Sequence, residues 1–201
     1  YKNANNLNVR IELHEKYSTN PIKWFDWLYE NIDFSKINTL LEVGCGNGQL
    51  WMNKRKDIRN REIFLTDISD GMLEDAKQNL NDNFSFFVVN CENIPFKKEF
   101  FDAIIANHVL FYLNDLNQGL SEIKRVLKEN GVFYSTTYSK NHMREINELV
   151  KKFNSNIYLS EQPLYHKFGL ENGKSILKSY FKNVKCHVYK DYLDIDDAKA
   201  I

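Results

Sequence analysis

Leu41 to Leu50 reads LEVGCGNGQL, the end of an apolar run carrying an acid, Glu42, followed by glycines at alternate positions, Gly44, Gly46 and Gly48. Lacking a Cβ, each glycine lets the backbone turn tightly and a ligand approach main-chain N–H groups closely. Such a turn suits holding a ligand by contact. Its spacing is GxGxG, whereas the dinucleotide fingerprint GxGxxG would need glycine where Gln49 stands. Asp67 follows about 20 residues later, after the apolar run Ile63, Phe64, Leu65, where a carboxylate can accept hydrogen bonds from ribose hydroxyls. The pair points to a ribose and away from a pyrophosphate. Two imidazoles, His108 and His142, fall just after later apolar runs, and either is a candidate general base if its pKa lies near neutrality.

These groups need strand ends to position them. From Asn38 the sequence alternates strand-like and helix-like stretches, the signature of a parallel sheet covered on both faces. The pattern predicts strands at 38–43, 62–67, 84–90, 101–107, 131–138 and 183–192. Helices are expected at 48–57, 70–80, 115–129, 141–153 and 171–181, the third stopped by Asn130-Gly131. Ahead of them, Leu7 to Tyr17 alternates in a way that suits helix or strand, and Ile22 to Asn31 reads as a helix with Pro21 at its start. The stretch from Asn154 to Gly169 is expected to be an irregular loop or a lid.

The chain has 201 residues, within the usual range for one domain. It carries 27 basic and 27 acidic side chains, so no global field gathers nucleic acid or an anionic membrane. Its cysteines, Cys45, Cys91 and Cys186, form no CxxC pair, so neither a metal site nor a disulfide framework is expected, and a reducing cytoplasm fits. No stretch approaches the ~20 apolar residues that span a bilayer. The chain opens at Tyr1, and DIDDAKA near Ile201 reads as a cap and the first turn of a further helix, so the native chain is expected to continue.

EVGCGNG, TDISDGML, ENIPF, FDAIIANHVLFYL and EIKRVLKENGVFY, in that order, resemble the successive motifs of class I S-adenosylmethionine-dependent methyltransferases. The likeness runs from about residue 10 to residue 137 and is similar to the small-molecule branch that includes the ubiquinone and menaquinone C-methyltransferases. It implies an α/β, doubly wound, mostly parallel sheet of six or seven strands, Rossmann-like, with an N-terminal helical cap at 1–36, a cofactor core at 37–138 and a substrate-side part at 139–201. It makes S-adenosylmethionine the cofactor and S-adenosylhomocysteine the product. The methyl would pass by in-line displacement to a small-molecule acceptor.

By resemblance, Glu42, Gly44, Cys45, Gly46 and Gly48 cradle the cofactor, Asp67 takes the ribose, and Ile68 and Met72 flank the adenine. Asn90, Cys91 and Glu92 follow the third strand. Asn90 departs from the aspartate of many relatives, and its carbonyl accepts the adenine amino proton without charge assistance. Asn107 borders the methionine moiety, His108 and Tyr17 are the catalytic candidates, and Arg10 and His14 reach the cofactor carboxylate or sit on a solvated helix face. Tyr112, Tyr134 and Tyr138 are candidates for an aromatic acceptor pocket. NHVL, where nucleic-acid amino methyltransferases carry an NPPY-like turn, and the absence of a Pro-Cys nucleophile argue against DNA or RNA as substrate. The rival of another class is a catalytically silent cofactor-binding sensor or a domain that stabilises a partner.

Overall fold

A computed structural model describes residues 5–52, 58–80, 83–154, 156 and 164–196. Five strands form one all-parallel sheet: β1 (Thr39–Val43), β2 (Glu62–Asp67), β3 (Ser85–Val88), β4 (Phe101–Ala106) and β5 (Leu127–Ser135), in the order β3-β2-β1-β4-β5. The chain runs outward from β1 to β3, then returns to the other side of β1 with β4. Strand order therefore reverses between β1 and β4, and the crevice above their carboxyl ends is where open α/β sheets bind ligands.

Alternate residues of these buried strands feed two apolar cores. Leu41, Val43, Ile104 and Ala106 meet α4 (Leu116–Val126) and α6 (Gly173–Lys178) on one face. Leu40, Ile63, Leu65 and Ile105 meet α2 (Trp24–Glu30) and α3 (Asp70–Asn79) on the other. Asp115 and Ser69 cap α4 and α3 by accepting from the Gln118 and Met72 N–H groups, as helix N-termini require. Two more helices stand outside the sheet layers. α1 (Asn5–Tyr17) settles the ambiguous N-terminal stretch as helix, and α5 (Arg144–Phe153) follows β5.

Three expectations need correction. Residues 183–192 do not form a sixth strand: among the described residues their run has no regular secondary structure and is unpaired with β5, and one isolated bridge joins Leu193 to Ser18. Apolar alternation at Val184, Cys186 and Val188 suggests a strand, but a strand also needs a hydrogen-bonded neighbour. The helix expected to 129 ends at Val126, and Asn130-Gly131 lies within β5. Leu127 already pairs with Phe101, because buried Val126 and Leu127 pin the chain to the sheet before the Asn-Gly signal is reached. The helix expected at 48–57 is a single 3-10 turn at Gln49–Trp51, with residues 53–57 outside the described set. Residues 157–163 of the expected loop and 197–201 of the expected last helix also lie outside it.

Candidate active site

The glycine turn is built by its φ angles. Gly44, Gly46 and Gly48 all sit at positive φ, +67°, +55° and +79°, where side chains are strained. Space adds a second constraint at Gly44, where a Cβ would come within 2.3 Å of Val109. The Cys45 N–H donates to the Thr66 carbonyl at 2.9 Å, tying the loop to β2. One strand over, Asp67 closes the same corner: its Oδ2 accepts from the Gly46 N–H at 3.0 Å and its Oδ1 from the Ser69 N–H at 2.9 Å. Each oxygen thus has one backbone donor and keeps a further lone pair. Because Ser69 caps α3, Asp67 is not needed for that task.

Beside Asp67, Ile68 is 71% exposed although it is apolar, while Met72 is buried next to it. Both border the cleft. An uncovered isoleucine beside a doubly anchored carboxylate fits a purine lying over the one with its ribose on the other.

Glu42 lies beneath the loop, 1% exposed, with Trp51 Nε1 donating to its Oε2 at 2.5 Å. Burial pushes its pKa up to about 8, against the indole hydrogen bond and with help from the Asp67 charge, so near neutral pH it is largely protonated. Cys45 and Cys91 are buried thiols. Desolvation raises Cys91 to about 12 and Cys45 well above its ordinary value, which leaves them as packing groups. Asn90 Oδ1 accepts from the Glu92 N–H at 2.9 Å, and Glu92 Oε1 accepts from the Asn114 N–H at 2.6 Å. Asn107 Oδ1 accepts from Thr136 Oγ1 at 2.7 Å, whose oxygen in turn accepts from the His108 N–H at 3.0 Å.

His108 itself takes φ +56°, an unusual conformation for a residue with a side chain. Its ring lies 5.2 Å from that of Trp24 and 6.0 Å from that of Phe111. Desolvation lowers its pKa to about 4, aided by the neighbouring His142 and His14. The His142 ring lies 5.0 Å from that of Tyr138, tilted by 41°, and is parallel to that of His14 at 6.3 Å, and partial desolvation lowers both imidazoles too.

The cleft therefore gathers Glu42, Gly44, Cys45, Gly46, Asp67, Ile68, Met72, Asn90, Cys91, Glu92, Asn107 and His108 along one rim. Gly48 stands behind it, packed on Leu80. Tyr17 is buried and is not among the residues bordering the cleft, its carbonyl accepting from the Asp194 N–H. Arg10 and His14 do border it, Tyr112 is half exposed, and the Tyr134 hydroxyl accepts from the Asp33 N–H at 3.1 Å.

Several residues at this site carry no motif. Trp24, Tyr189 and Asp191 read as ordinary core or surface positions, and only the meeting of α1, α2 and the last segment brings them together. Asn47 gave a local signal, a polar residue inside a glycine turn. It is 4% exposed, donates to Asn8 Oδ1 at 2.8 Å, and leaves its own Oδ1 without a partner. Among the described residues no group of three or more acidic, thiol or imidazole side chains is arranged to hold a metal, and no helix is long and apolar enough to cross a membrane.

Residues 41–135 match the family described as "Methyltransferase domain". The ubiquinone/menaquinone biosynthesis C-methyltransferase UbiE of Rickettsia prowazekii is 30% identical over 129 residues, 60% of this chain and 52% of that protein. The malonyl-[acyl-carrier protein] O-methyltransferase of Buchnera aphidicola is 31% identical over 130 residues, 62% of this chain and 51% of that one. The chain thus spans about half the length of these curated relatives. Among solved structures, the YcgJ protein of Bacillus subtilis aligns at a TM-score of 0.54 with 18% identity, covering 78% of this chain and 66% of that one. The [4+2]-cyclase SpnF aligns at 0.52 with 22% identity, covering 63% and 54%. These two likenesses speak to the fold alone, and the second shows that one fold can carry different reactions. The family match lies across the glycine turn, Asp67 and the β4 rim, the same corner that the strand order marks as the ligand crevice.

Proposed function

We propose that this protein transfers a methyl group from S-adenosylmethionine to a small-molecule acceptor by in-line displacement. The observation that carries the reading is the corner formed by the positive-φ glycines and Asp67, at the sheet's switch point and inside the matched family segment. In this reading Asp67 accepts from the ribose hydroxyls with the lone pairs its two backbone bonds leave over. Ile68 and Met72 cover the adenine, and the Asn90 amide and the Cys91 and Glu92 main chain edge it. Gly44, Cys45 and Gly46 offer main chain to the amino-acid part, with Glu42 and Gly48 supporting the loop from behind and Asn107 bordering that part from β4.

When bound, the cofactor supplies an electrophilic methyl on a sulfonium. The protein's tasks are to align the acceptor with that methyl and to keep water out. α1 closes over the glycine turn with Leu7 set against Gly46, and His108 faces the acceptor side. The formal neutrality of the chain favours a small acceptor over nucleic acid, and the lone thiols suit a cytoplasmic setting.

Calorimetric titration tests the reading. S-adenosylmethionine and S-adenosylhomocysteine should bind and NAD should not. Replacing Asp67 by Ala should weaken the first two by roughly 1.5–3 kcal/mol, the worth of charged hydrogen bonds. Unchanged affinity in that variant would remove Asp67 from the ribose.

A further inference from the structure

Asn47 stands between Gly46 and Gly48, the one polar side chain of the glycine turn, and is 4% exposed. Two helices hold it. Asn79 Nδ2, at the end of α3, donates to the Asn47 main-chain carbonyl at 3.0 Å, and Asn47 Nδ2 donates to Asn8 Oδ1 on α1 at 2.8 Å. Leu7, the residue before Asn8, packs on the same turn, 3.1 Å from where a Cβ on Gly46 would stand. From there α1 continues along the cleft, which Leu7, Arg10, Ile11 and His14 border. Its first turn thus rests on the glycine turn while its later turns wall the rest of the cleft.

The other end of this carboxamide is unsatisfied. Asn47 Oδ1 is buried and has no hydrogen-bond donor among the described residues, a rare state for a buried carbonyl, and the residue borders the cleft. Together these point to a ligand group that brings the donor. Turning the Asn8 and Asn47 carboxamides over together would keep the bond between them and put the Asn47 N–H₂ in the unsatisfied place, where it would call for an anion. Charge decides between the two. Asp67 accepts from the N–H of the adjacent Gly46 at 3.0 Å, so a carboxylate already stands beside the turn and favours a cation there over a second anion. The Asn47 carbonyl is thereby matched to an ammonium, which the amino-acid end of the cofactor carries and its adenosine end does not.

We infer that Asn47 Oδ1 receives the ammonium of the cofactor, and that the same carboxamide, through Asn8, makes the seating of α1 depend on that ammonium. The inference rests on the cofactor reading above and adds to it a side chain that reads one charged group and passes its presence to a separate helix. With α1 seated, the Oδ1 is sealed from solvent, so the ammonium has to arrive before Leu7 and Asn8 close on the turn. Donor and acceptor are then shut in together. Closure without an ammonium leaves a buried carbonyl unpaired, and α1 is held less firmly. What occupies the glycine turn in this way sets how firmly Arg10, Ile11 and His14 stand along the cleft.

The test uses the 201-residue chain and three probes that share adenosine and a thioether. These are S-adenosylhomocysteine, its decarboxylated form, which keeps the amine, and 5′-methylthioadenosine, which has neither amine nor carboxylate. In calorimetry Asn47→Ala should weaken the first two by about tenfold and 5′-methylthioadenosine by less than about twofold, the last result also showing that the variant folds. Asn8→Ala, at an exposed position, should weaken the same two by about threefold, and in the double variant the losses should not add. Amide hydrogen exchange along α1 should slow when either amine-bearing probe is added, stay unchanged with 5′-methylthioadenosine, and lose this response in Asn8→Ala. Equal losses for all three probes would make the carboxamide a support of the turn alone and overturn the assignment. So would a loss confined to S-adenosylhomocysteine, which would mean that the carboxylate is read, or exchange along α1 that ignores the amine. Should Asn47→Ala fail to fold, the pattern of the three probes in Asn8→Ala decides. Failure of all three to bind the unaltered chain would instead overturn the cofactor reading on which the inference rests.

Discussion

Where β1 and β2 end, the cleft is walled by main chain: three positive-φ glycines, and a carboxylate that accepts from two backbone N–H groups. Beneath α1 it is walled by side chains drawn from five separate stretches, with the Trp24 ring in contact with both His108 and Tyr189 and His14 facing His142. The first wall can be changed only by moving backbone, and so it tolerates little variation. The second can be altered one side chain at a time while the sheet stays intact. One domain can in this way keep a cofactor site fixed while its acceptor site diverges.

The largest expected effect breaks the main-chain wall. Gly44→Ala places a Cβ against Val109 in a conformation that disfavours any side chain, and should cost roughly 2–5 kcal/mol in urea unfolding. A loss under ~1 kcal/mol would show that the turn relaxes, contrary to the rigidity ascribed to it. The corresponding change on the other wall should be gentler. Asparagine accepts positive φ, so His108→Asn should fold normally, lose under ~1 kcal/mol in urea unfolding and keep S-adenosylhomocysteine affinity. A loss of S-adenosylhomocysteine affinity as large as that of Asp67→Ala would mean that the two walls are one site.

Acid and base stability should separate the walls as well. Glu42, beneath the glycine turn, has a folded pKa of about 8, above its ordinary 4.5, so the folded protein holds the extra proton and stability falls as pH rises through that interval. His108 has a folded pKa of about 4, below its ordinary 6.5, so its contribution is complete above 6.5 and is lost as pH falls toward 4. Between 4.5 and 6.5 the two slopes oppose each other, and from 6.5 to 8 Glu42 acts alone. The melting temperature should therefore drop between pH 6.5 and 8 in the native protein and stay level in Glu42→Gln. A variant that still drops would place the titrating group elsewhere. The smallest effect concerns the thiols. Cys186 is exposed and should react promptly with a disulfide reagent, while buried Cys45 and Cys91 should wait for unfolding.

The two walls were not equally legible in the sequence. Strand β2 falls on 62–67 as its apolar run predicts, and α3 falls within one residue of expectation, because burial period and cap sit in the same short stretch. The glycines and Asp67 were legible for the same reason: φ demands and strand ends are local properties. The unpaired run at 183–192 and the early end of α4 were not legible, since alternation specifies which way side chains point but not which neighbour supplies hydrogen bonds. Tyr17 carried an aromatic signal in the right helix, and the fold turned it away from the cleft while presenting His14.

By itself the sequence determined the alternation of strands and helices and the bend and carboxylate at two strand ends, since each follows from periodicity and backbone sterics within a few residues, whereas the order of the strands rested on the family resemblance. Only the tertiary structure decided that Asp191 meets the end of α1, that three imidazoles share one end of the cleft, and that Glu42 lies under the turn with Trp51 as its partner. Those relations join residues up to 173 positions apart. They are set by how helices close over the sheet, and burial then fixes the protonation of each group in a way that no local pattern encodes.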